Sequence, residues 1–198
     1  MNLVLGSAIR AILVDQLVNH SNHRNTMFPV VCTVTVDSQF VDDFLRTSYE
    51  GYPEAPQELC IITSRDRASY QHDESQPSEG EISRGMRVKT QGGGPMKTPS
   101  RPPWTISFSP PFLNSSPEEV AKVLRPDFDK TLLGLDYCAI IDDKSLQDRR
   151  ALITYTVRPE EDHKYKMVRV PFEEVNAVLV CLSIGETDLD DVSDAHPP

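Results

Sequence analysis

The sequence predicts an α/β protein: a single mixed sheet with two main helices, plus a long disordered insertion. Apolar runs alternate with helical patterns in the first two thirds of the chain, which is the order of strand–helix–strand units. Four further apolar runs lie close together within residues 137–192, where they can form most of a sheet. The chain of 198 residues has 16 prolines and only 38% hydrophobic residues, which predicts that part of it is unstructured.

The composition argues against two classes of partner. A formal net charge of -10 repels phosphate backbones, so we expect no nucleic-acid binding. No apolar run reaches the roughly 18 residues that a membrane-spanning helix needs, so we expect no membrane contact.

The cysteines are scattered along the chain, and each lies within an apolar run: Cys32, Cys60, Cys138 and Cys181. No C-x-x-C spacing occurs, so neither a zinc site nor a redox pair is indicated, and we expect no metal and no cofactor. Buried and reduced thiols are typical of a reducing compartment, which predicts a cytoplasmic location.

Residues 1–26 are predicted to be an N-terminal extension of a single α/β domain that spans residues 27–192. Apolar residues recur there at helical spacing before a polar stretch. This pattern indicates a short amphipathic helix that docks on the domain or a loosely attached extension, with an organelle-targeting helix as the alternative. At the other end of the chain, residues 193–198 are predicted to be a mobile tail.

The first elements of the domain form a predicted parallel strand–helix–strand unit. Residues 28–36 are rich in β-branched side chains and predict a buried strand. Asp37 or Ser38 can cap a helix whose apolar stripe is Phe40, Val41, Phe44 and Leu45. Residues 58–63 predict the next strand, and the short spacing favours a parallel crossover.

A disordered insertion is predicted at residues 65–103, which are rich in proline and glycine and show almost no apolar periodicity. The second half of this insertion carries basic residues and no acidic ones: Arg84, Arg87, Lys89, Lys97 and Arg101. The segment near the C-terminus is acidic instead: Glu186, Asp188, Asp190, Asp191 and Asp194. We expect a loose, salt-sensitive contact between these two segments.

The second half of the domain begins at Trp104 with a predicted short strand at residues 105–108. Ser116 and Glu119 form a capping-box signature for a helix that Pro126 should end. The remaining apolar runs predict strands at residues 137–141, 151–157, 165–170 and 177–184. The second and third of these strands should pair as a hairpin, and a turn or a single helical turn should follow at residues 171–175.

The last third of the chain contains an ordered series of short motifs: Ile140-Ile141-Asp142, Ser145-Leu146, Arg169-Val170-Pro171, Leu182-Ser183-Ile184 and Asp188-Leu189-Asp190-Asp191. From Trp104 onward, this series resembles domain-of-unknown-function family 6924, a microbial family without an established activity. The resemblance supports the α/β fold and implies no particular chemistry. Two positions depart from the family pattern, because Glu186 stands where members tend to have Asn, and Leu189 where they have Phe. A site that used the Asn would be altered in this chain.

One candidate ligand or anion site is visible in the sequence. Asp142 and Asp143 close a predicted strand, and ligands collect at the carboxyl ends of strands in open α/β sheets. Arg149 and Arg150 follow closely enough to approach these carboxylates. Asp142 would then be a general base or a ligand anchor, with an arginine binding an anion. The alternative is structural: Asp142 caps the turn that follows the strand.

Two functions from different classes fit these observations. The sequence contains no catalytic constellation that we recognise, which favours a non-enzymatic module that contacts a protein partner through an exposed sheet edge or through the basic insertion. The alternative is a small-ligand-binding or hydrolase-like enzyme that uses Asp142 with Arg149 or Arg150. A pocket holding a carboxylate of raised pKa at that strand end would favour the enzyme.

Overall fold

The computed structural model describes residues 27–70, 98–128, 131–156 and 166–196. Within these residues, five strands form one mixed sheet: β1 (Phe28–Cys32), β2 (Leu59–Ile61), β3 (Tyr137–Ile141), β4 (Arg150–Tyr155) and β5 (Met167–Pro171). Their spatial order is β2-β1-β3-β4-β5. Strand β1 pairs in parallel with β2 and β3, whereas β4 pairs in antiparallel fashion with β3 on one side and β5 on the other. The predicted α/β class with a single mixed sheet is confirmed.

Helices cover both faces of the sheet. Helix α1 (Ser38–Gly51) follows β1 and buries its apolar stripe on one face, which we call the first face. Helix α2 (Pro117–Phe128) precedes β3 and packs on the opposite, second face. All five residues of β1 are buried, as parallel strands that are covered from both sides must be. The predicted parallel unit of strand, helix and strand is confirmed.

The predicted helix starts are confirmed in detail. The Asp37 carboxylate accepts a hydrogen bond of 2.7 Å from the Phe40 N–H at the start of α1. At α2, Ser116 and Glu119 exchange side-chain to backbone hydrogen bonds of 2.8 and 3.2 Å, which is a complete capping box. Pro126 does not end this helix, which continues to Phe128. The buried Phe128 ring packs edge-on against the Tyr70 ring, with 5.3 Å between the ring centres, and this contact stabilises the last turn of α2.

The predicted last strand at residues 177–184 is wrong, because this segment is helix α4 (Val175–Ser183). A short apolar run fits a buried strand and a buried helix equally well, so its periodicity could not separate the two. Eight of the nine residues of α4 are buried, since the helix lies on the first face beside α1. Its polar Asn176 is satisfied, because the amide donates to the Pro56 carbonyl at 2.9 Å and accepts from the Glu58 N–H at 3.3 Å.

Two short helices complete the described elements. Helix α3 (Asp143–Asp148), which was not predicted, joins β3 to β4. Helix α5 (Leu189–Ala195) begins at the N-cap Asp188 and extends into the segment that was predicted to be a mobile tail. Between β5 and α4, the predicted single turn is a 3-10 helix at Phe172–Glu174.

The predicted strand at residues 105–108 is also wrong, because these residues form no strand. The Trp104 N–H donates to the Asp42 carboxylate at 2.7 Å, and the Trp104 indole donates to the Ile106 carbonyl at 2.9 Å. Since these groups bind within the loop and to α1, they do not extend the sheet.

Both ends of the predicted insertion pack on the domain. Residues Arg67–Tyr70 form a 3-10 helix whose Tyr70 side chain is buried, and Ser100 is buried beside β2. Residues 71–97, with most of the predicted basic segment, lie outside the described residues, as do residues 1–26. The expected contact between the basic and acidic segments therefore stays a prediction.

All four cysteines are buried, as predicted, and none of them forms a disulfide bond. Burial raises the pKa of the Cys32 and Cys138 thiols to about 12 and that of Cys181 to about 11. The nucleophilic thiolate form is therefore scarce near neutral pH. Among the described residues, no helix combines the length and the apolar character that crossing a membrane requires.

Gly51 generates the first prediction. A Cβ atom at this position would lie 2.0 Å from the carbonyl oxygen of Glu173, because the end of α1 contacts the 3-10 helix after β5. We expect Gly51→Ala to lower the free energy of unfolding by about 1–3 kcal/mol, measured by urea denaturation. Glu50→Ala, at the exposed neighbouring position, is the control and should change the stability little. Equal stabilities of the two variants would contradict this close contact.

Glu58 generates a prediction about pH. Burial raises the pKa of its carboxyl to about 7, above the value of about 4.3 expected in the unfolded chain. Between these values the folded protein binds a proton that the unfolded chain does not, so the stability falls as pH rises through this window. We expect Glu58→Gln to remove this dependence and to be about 1–2 kcal/mol more stable than the unmodified protein at pH 8, after allowance for partial exposure. Urea denaturation at pH 5 and pH 8 measures both effects.

The matched control is Glu54→Gln, which removes an exposed carboxylate nearby in the sequence. It should keep the pH dependence of the unmodified protein. If Glu58→Gln shows the same slope as Glu54→Gln, the unfavourable burial of the Glu58 charge is refuted.

Candidate functional site

Asp142 lies directly after β3 and is the N-cap of helix α3. Its carboxylate accepts hydrogen bonds from the Ser145 N–H and hydroxyl, both at 2.9 Å. The Ser145 hydroxyl in turn accepts from the Asp142 N–H at 3.2 Å. This reciprocal arrangement satisfies backbone donors at the start of a short helix. The structural role that the sequence allowed for Asp142 is therefore realised.

The guanidinium of Arg169, on β5, is the charged partner of Asp142. Its two terminal nitrogens bind the two carboxylate oxygens at 3.0 and 2.5 Å, so the contact is bidentate. The side chains of both residues are about one-fifth exposed, at 19% for Arg169 and 21% for Asp142. A bidentate pair with this little exposure fixes the relative position of β3, α3 and β5.

These contacts determine the protonation of Asp142. Partial burial by itself would raise the pKa of the carboxyl, but the hydrogen bonds from Arg169 and Ser145 outweigh burial and lower the pKa below its usual value. Asp142 is therefore a weak base whose two oxygens are already engaged. This is the opposite of the raised pKa that would favour an enzyme at this strand end.

Neither of the two arginines that the sequence placed near Asp142 pairs with its carboxylate. Arg149 ends α3 in the left-handed region, with φ at 56°, and its guanidinium binds the Asp43 carboxylate on α1 at 2.6 Å. The guanidinium also lies 5.1 Å from the centre of the Phe172 ring. Arg150 donates to the Arg169 carbonyl at 2.7 Å. Asp143 is exposed in the first turn of α3.

Arg169 is the residue that sequence reasoning missed as a partner of Asp142. The available signal was its position between Val168 and Val170, both of which are buried on the first face. Alternation along a strand places Arg169 on the opposite face. The strand register then brings Arg169 close to Asp142, because Arg169 pairs with Leu152, which in turn pairs with Ile140 near the end of β3.

Other chemical groups form no site that we can identify. The described residues contain no group of three or more His, Cys, Asp or Glu side chains that could hold a metal ion. His196 lies beside a single carboxylate, with 2.9 Å between its Nε2 atom and Oε2 of Glu174.

No protein-family model matches the chain, and neither the curated proteins nor the solved structures include a match to it.

The β2 edge of the sheet is covered by the chain itself. The Ser100 N–H donates to the Leu59 carbonyl at 2.7 Å, and the Ser100 hydroxyl accepts from the Ile61 N–H at 2.9 Å. One residue thus satisfies an outward acceptor and an outward donor of β2. This is a common protection of edge strands, whose unpaired backbone groups would otherwise pair with another chain.

The β5 edge differs, and its orientation follows from the strand register. The Phe172 N–H donates to the Arg149 carbonyl at 3.0 Å, so Phe172 faces β4. Because backbone direction alternates along an antiparallel strand, Val168 and Val170 also face β4, whereas Met167 and Arg169 face outward. In the described part of the chain, no hydrogen bond to the N–H of Met167 or Arg169 is present. The outward Arg169 carbonyl accepts from Arg150, and Pro171 has no N–H.

The Asp142 network generates the next prediction. Asp142→Asn keeps a side-chain oxygen that can cap α3 but leaves the Arg169 guanidinium without its counter-charge, so the free energy of unfolding should fall by about 2–3 kcal/mol at pH 7. Because the folded pKa of Asp142 is lowered, this contribution is present above the unfolded pKa and is lost as pH falls through the folded pKa. Urea denaturation at pH 7 and at pH 3 measures the loss and its decrease in acid.

Asp143→Asn is the matched control, since it removes an adjacent but exposed carboxylate. Its stability should stay within about 0.5 kcal/mol of the unmodified protein. A double variant with Asp142→Asn and Arg169→Gln should lose less than the sum of the single variants, because the pair is coupled. Strict additivity would show that the ion pair contributes nothing.

Proposed function

We propose that this protein is a non-enzymatic interaction module that binds an extended segment of a partner protein along the outer edge of β5. The observation that carries the proposal is the difference between the two edges of the sheet. Ser100 covers the β2 edge, whereas β5 presents the N–H groups of Met167 and Arg169 outward. An added strand would hydrogen-bond to these groups and align with the existing sheet.

The length of the edge limits the bound segment. Strand β5 has five residues, and Pro171 at its end offers a carbonyl but no N–H. A partner strand would therefore gain few backbone hydrogen bonds, each with a net contribution of about 0.5–1.5 kcal/mol. The proposal thus describes a short, reversible contact whose position is defined by the Met167 and Arg169 N–H groups. The proline also works against unlimited edge-to-edge association.

The contacts of Asp142 support a module over the alternative, a small-ligand-binding or hydrolase-like enzyme that uses Asp142 with Arg149 or Arg150. Its carboxylate is occupied by Arg169 and Ser145, its pKa is lowered, and Arg149 is bound to Asp43. A general base needs a free oxygen and a pKa near the working pH. Membership of domain-of-unknown-function family 6924, a cytoplasmic location and the lack of nucleic-acid binding stay predictions.

Met167→Pro tests the edge. The substitution removes an outward N–H without removing a hydrogen bond to β4, and proline is tolerated on edge strands. The probe is a capped seven-residue peptide of alternating Thr and Val, titrated into the full chain with detection by amide chemical shifts. We expect shifts at Met167 and Arg169 in the unmodified protein and at least a fivefold loss of affinity in Met167→Pro.

Met167→Ala, which keeps the N–H, is the matched control and should bind the peptide as the unmodified protein does. A peptide with N-methyl groups on every residue should not bind, because it lacks backbone N–H donors and its methyl groups obstruct both edges. Equal binding to Met167→Pro and Met167→Ala would rule out strand addition at β5. Amide chemical-shift changes confined to β2 would show that the peptide binds at the other edge of the sheet.

A further inference from the structure

We propose that the segment bound at the β5 edge is basic. This inference rests on the proposed function and adds the chemistry of the partner. Helix α5 packs against β5 on the first face, where Leu189 and Val192 are buried in the same apolar cluster as Val168 and Val170. Whatever binds along β5 therefore lies beside α5.

Helix α5 and its N-cap carry four carboxylates: Asp188, Asp190, Asp191 and Asp194. Only Asp190 forms an ion pair with a cation among the described residues, and that cation is Lys166 at the start of β5. Asp188 binds the backbone N–H groups of Asp190 and Asp191 at 2.8 and 3.0 Å, and these bonds lower its pKa. The cap thus keeps a full negative charge beside the edge at neutral pH.

The opposite side of the edge contributes little compensating charge. The Arg169 guanidinium is neutralised by Asp142. Arg150, on the neighbouring strand β4, has no carboxylate partner among the described residues and binds the Arg169 carbonyl. Among the described residues, the four carboxylates of α5 and its N-cap thus outnumber the cations beside the edge, Lys166 and Arg150, and this excess favours a partner segment with Lys or Arg.

The same charges disfavour a second copy of this chain as the occupant. Pairing two β5 edges about a two-fold axis would bring two α5 helices, with their aspartates, to the same interface. Like charges that face each other across a strand pair are unfavourable. A basic extended segment meets the same backbone groups without this repulsion.

Three capped peptides of seven residues test the inference, with Val alternating with Lys, Thr or Glu. We expect the Lys peptide to bind at least tenfold more tightly than the Glu peptide at low ionic strength. The difference should shrink at about 1 M salt, where the Debye length is about 3 Å. Binding is followed by the amide shifts of the β5 edge in the full chain, and Met167→Pro should weaken it at least fivefold for every peptide that binds.

The charge variant combines Asp190→Asn with Asp194→Asn, which leaves the capping carboxylates of Asp188 and Asp191 in place. It should lower the affinity for the Lys peptide about threefold or more and leave the affinity for the Thr peptide unchanged. The matched control, Glu54→Gln with Glu118→Gln, removes the same number of charges at positions before β2 and at the start of α2 and should have no effect.

Each contrary outcome has a separate meaning. Equal affinities of the three peptides at β5 would overturn the basic preference and leave strand addition standing. Binding of none of them would contradict both proposals. A Lys-peptide affinity that is the same in Met167→Pro as in the unmodified protein would overturn the inference, because the peptide would then adhere to α5 without using the edge. Concentration-dependent dimers that Met167→Pro abolishes would assign the edge to a second copy of the chain.

Discussion

Strand β1 lies between two apolar clusters, so both of its faces must be covered. This requirement determines how most of the other elements are arranged around it. Val30 faces the cluster of helix α1, whereas Val31 faces the cluster of helix α2. One crossover must therefore pass on each face, which places β2 and β3 on either side of β1. With Ser100 seated against β2, the sheet extends beyond β3, where β4 and β5 are added in antiparallel order.

The change from parallel to antiparallel pairing explains why Asp142 is a structural residue. Ligands often bind at the carboxyl ends of parallel strands. Here the chain turns back immediately through α3, and the Asp142 carboxylate starts that helix. Because this carboxylate is only about one-fifth exposed, at 21%, a counter-charge is needed, and Arg169 supplies it from β5. The strand end thus joins three elements and has no free oxygen for chemistry.

The two edges of the sheet differ in how their backbone groups are hydrogen-bonded, and the proposed function rests on this difference. A single serine covers β2 through its backbone and its hydroxyl. At β5, helix α5 contributes two buried side chains on one face, and its Asp190 binds Lys166, the residue before the strand. Main-chain donors and an excess of carboxylates over cations lie together in this part of the described structure. That combination suits the recognition of an extended segment better than catalysis, because backbone pairing gives the alignment and charge selects the partner.

The sequence by itself determined the features whose signals are local. It located β1, α1, β3 and the hairpin of β4 and β5, and it identified the caps at Asp37 and Ser116, because caps and apolar periodicity involve residues a few positions apart. It also found Asp142 and its capping role. Tertiary structure decided the rest. Helix α4 is buried on nearly all sides, which hides its periodicity, so the sequence could not distinguish it from a strand. Arg169 reaches Asp142, 27 residues away, only through a strand register that no local pattern encodes.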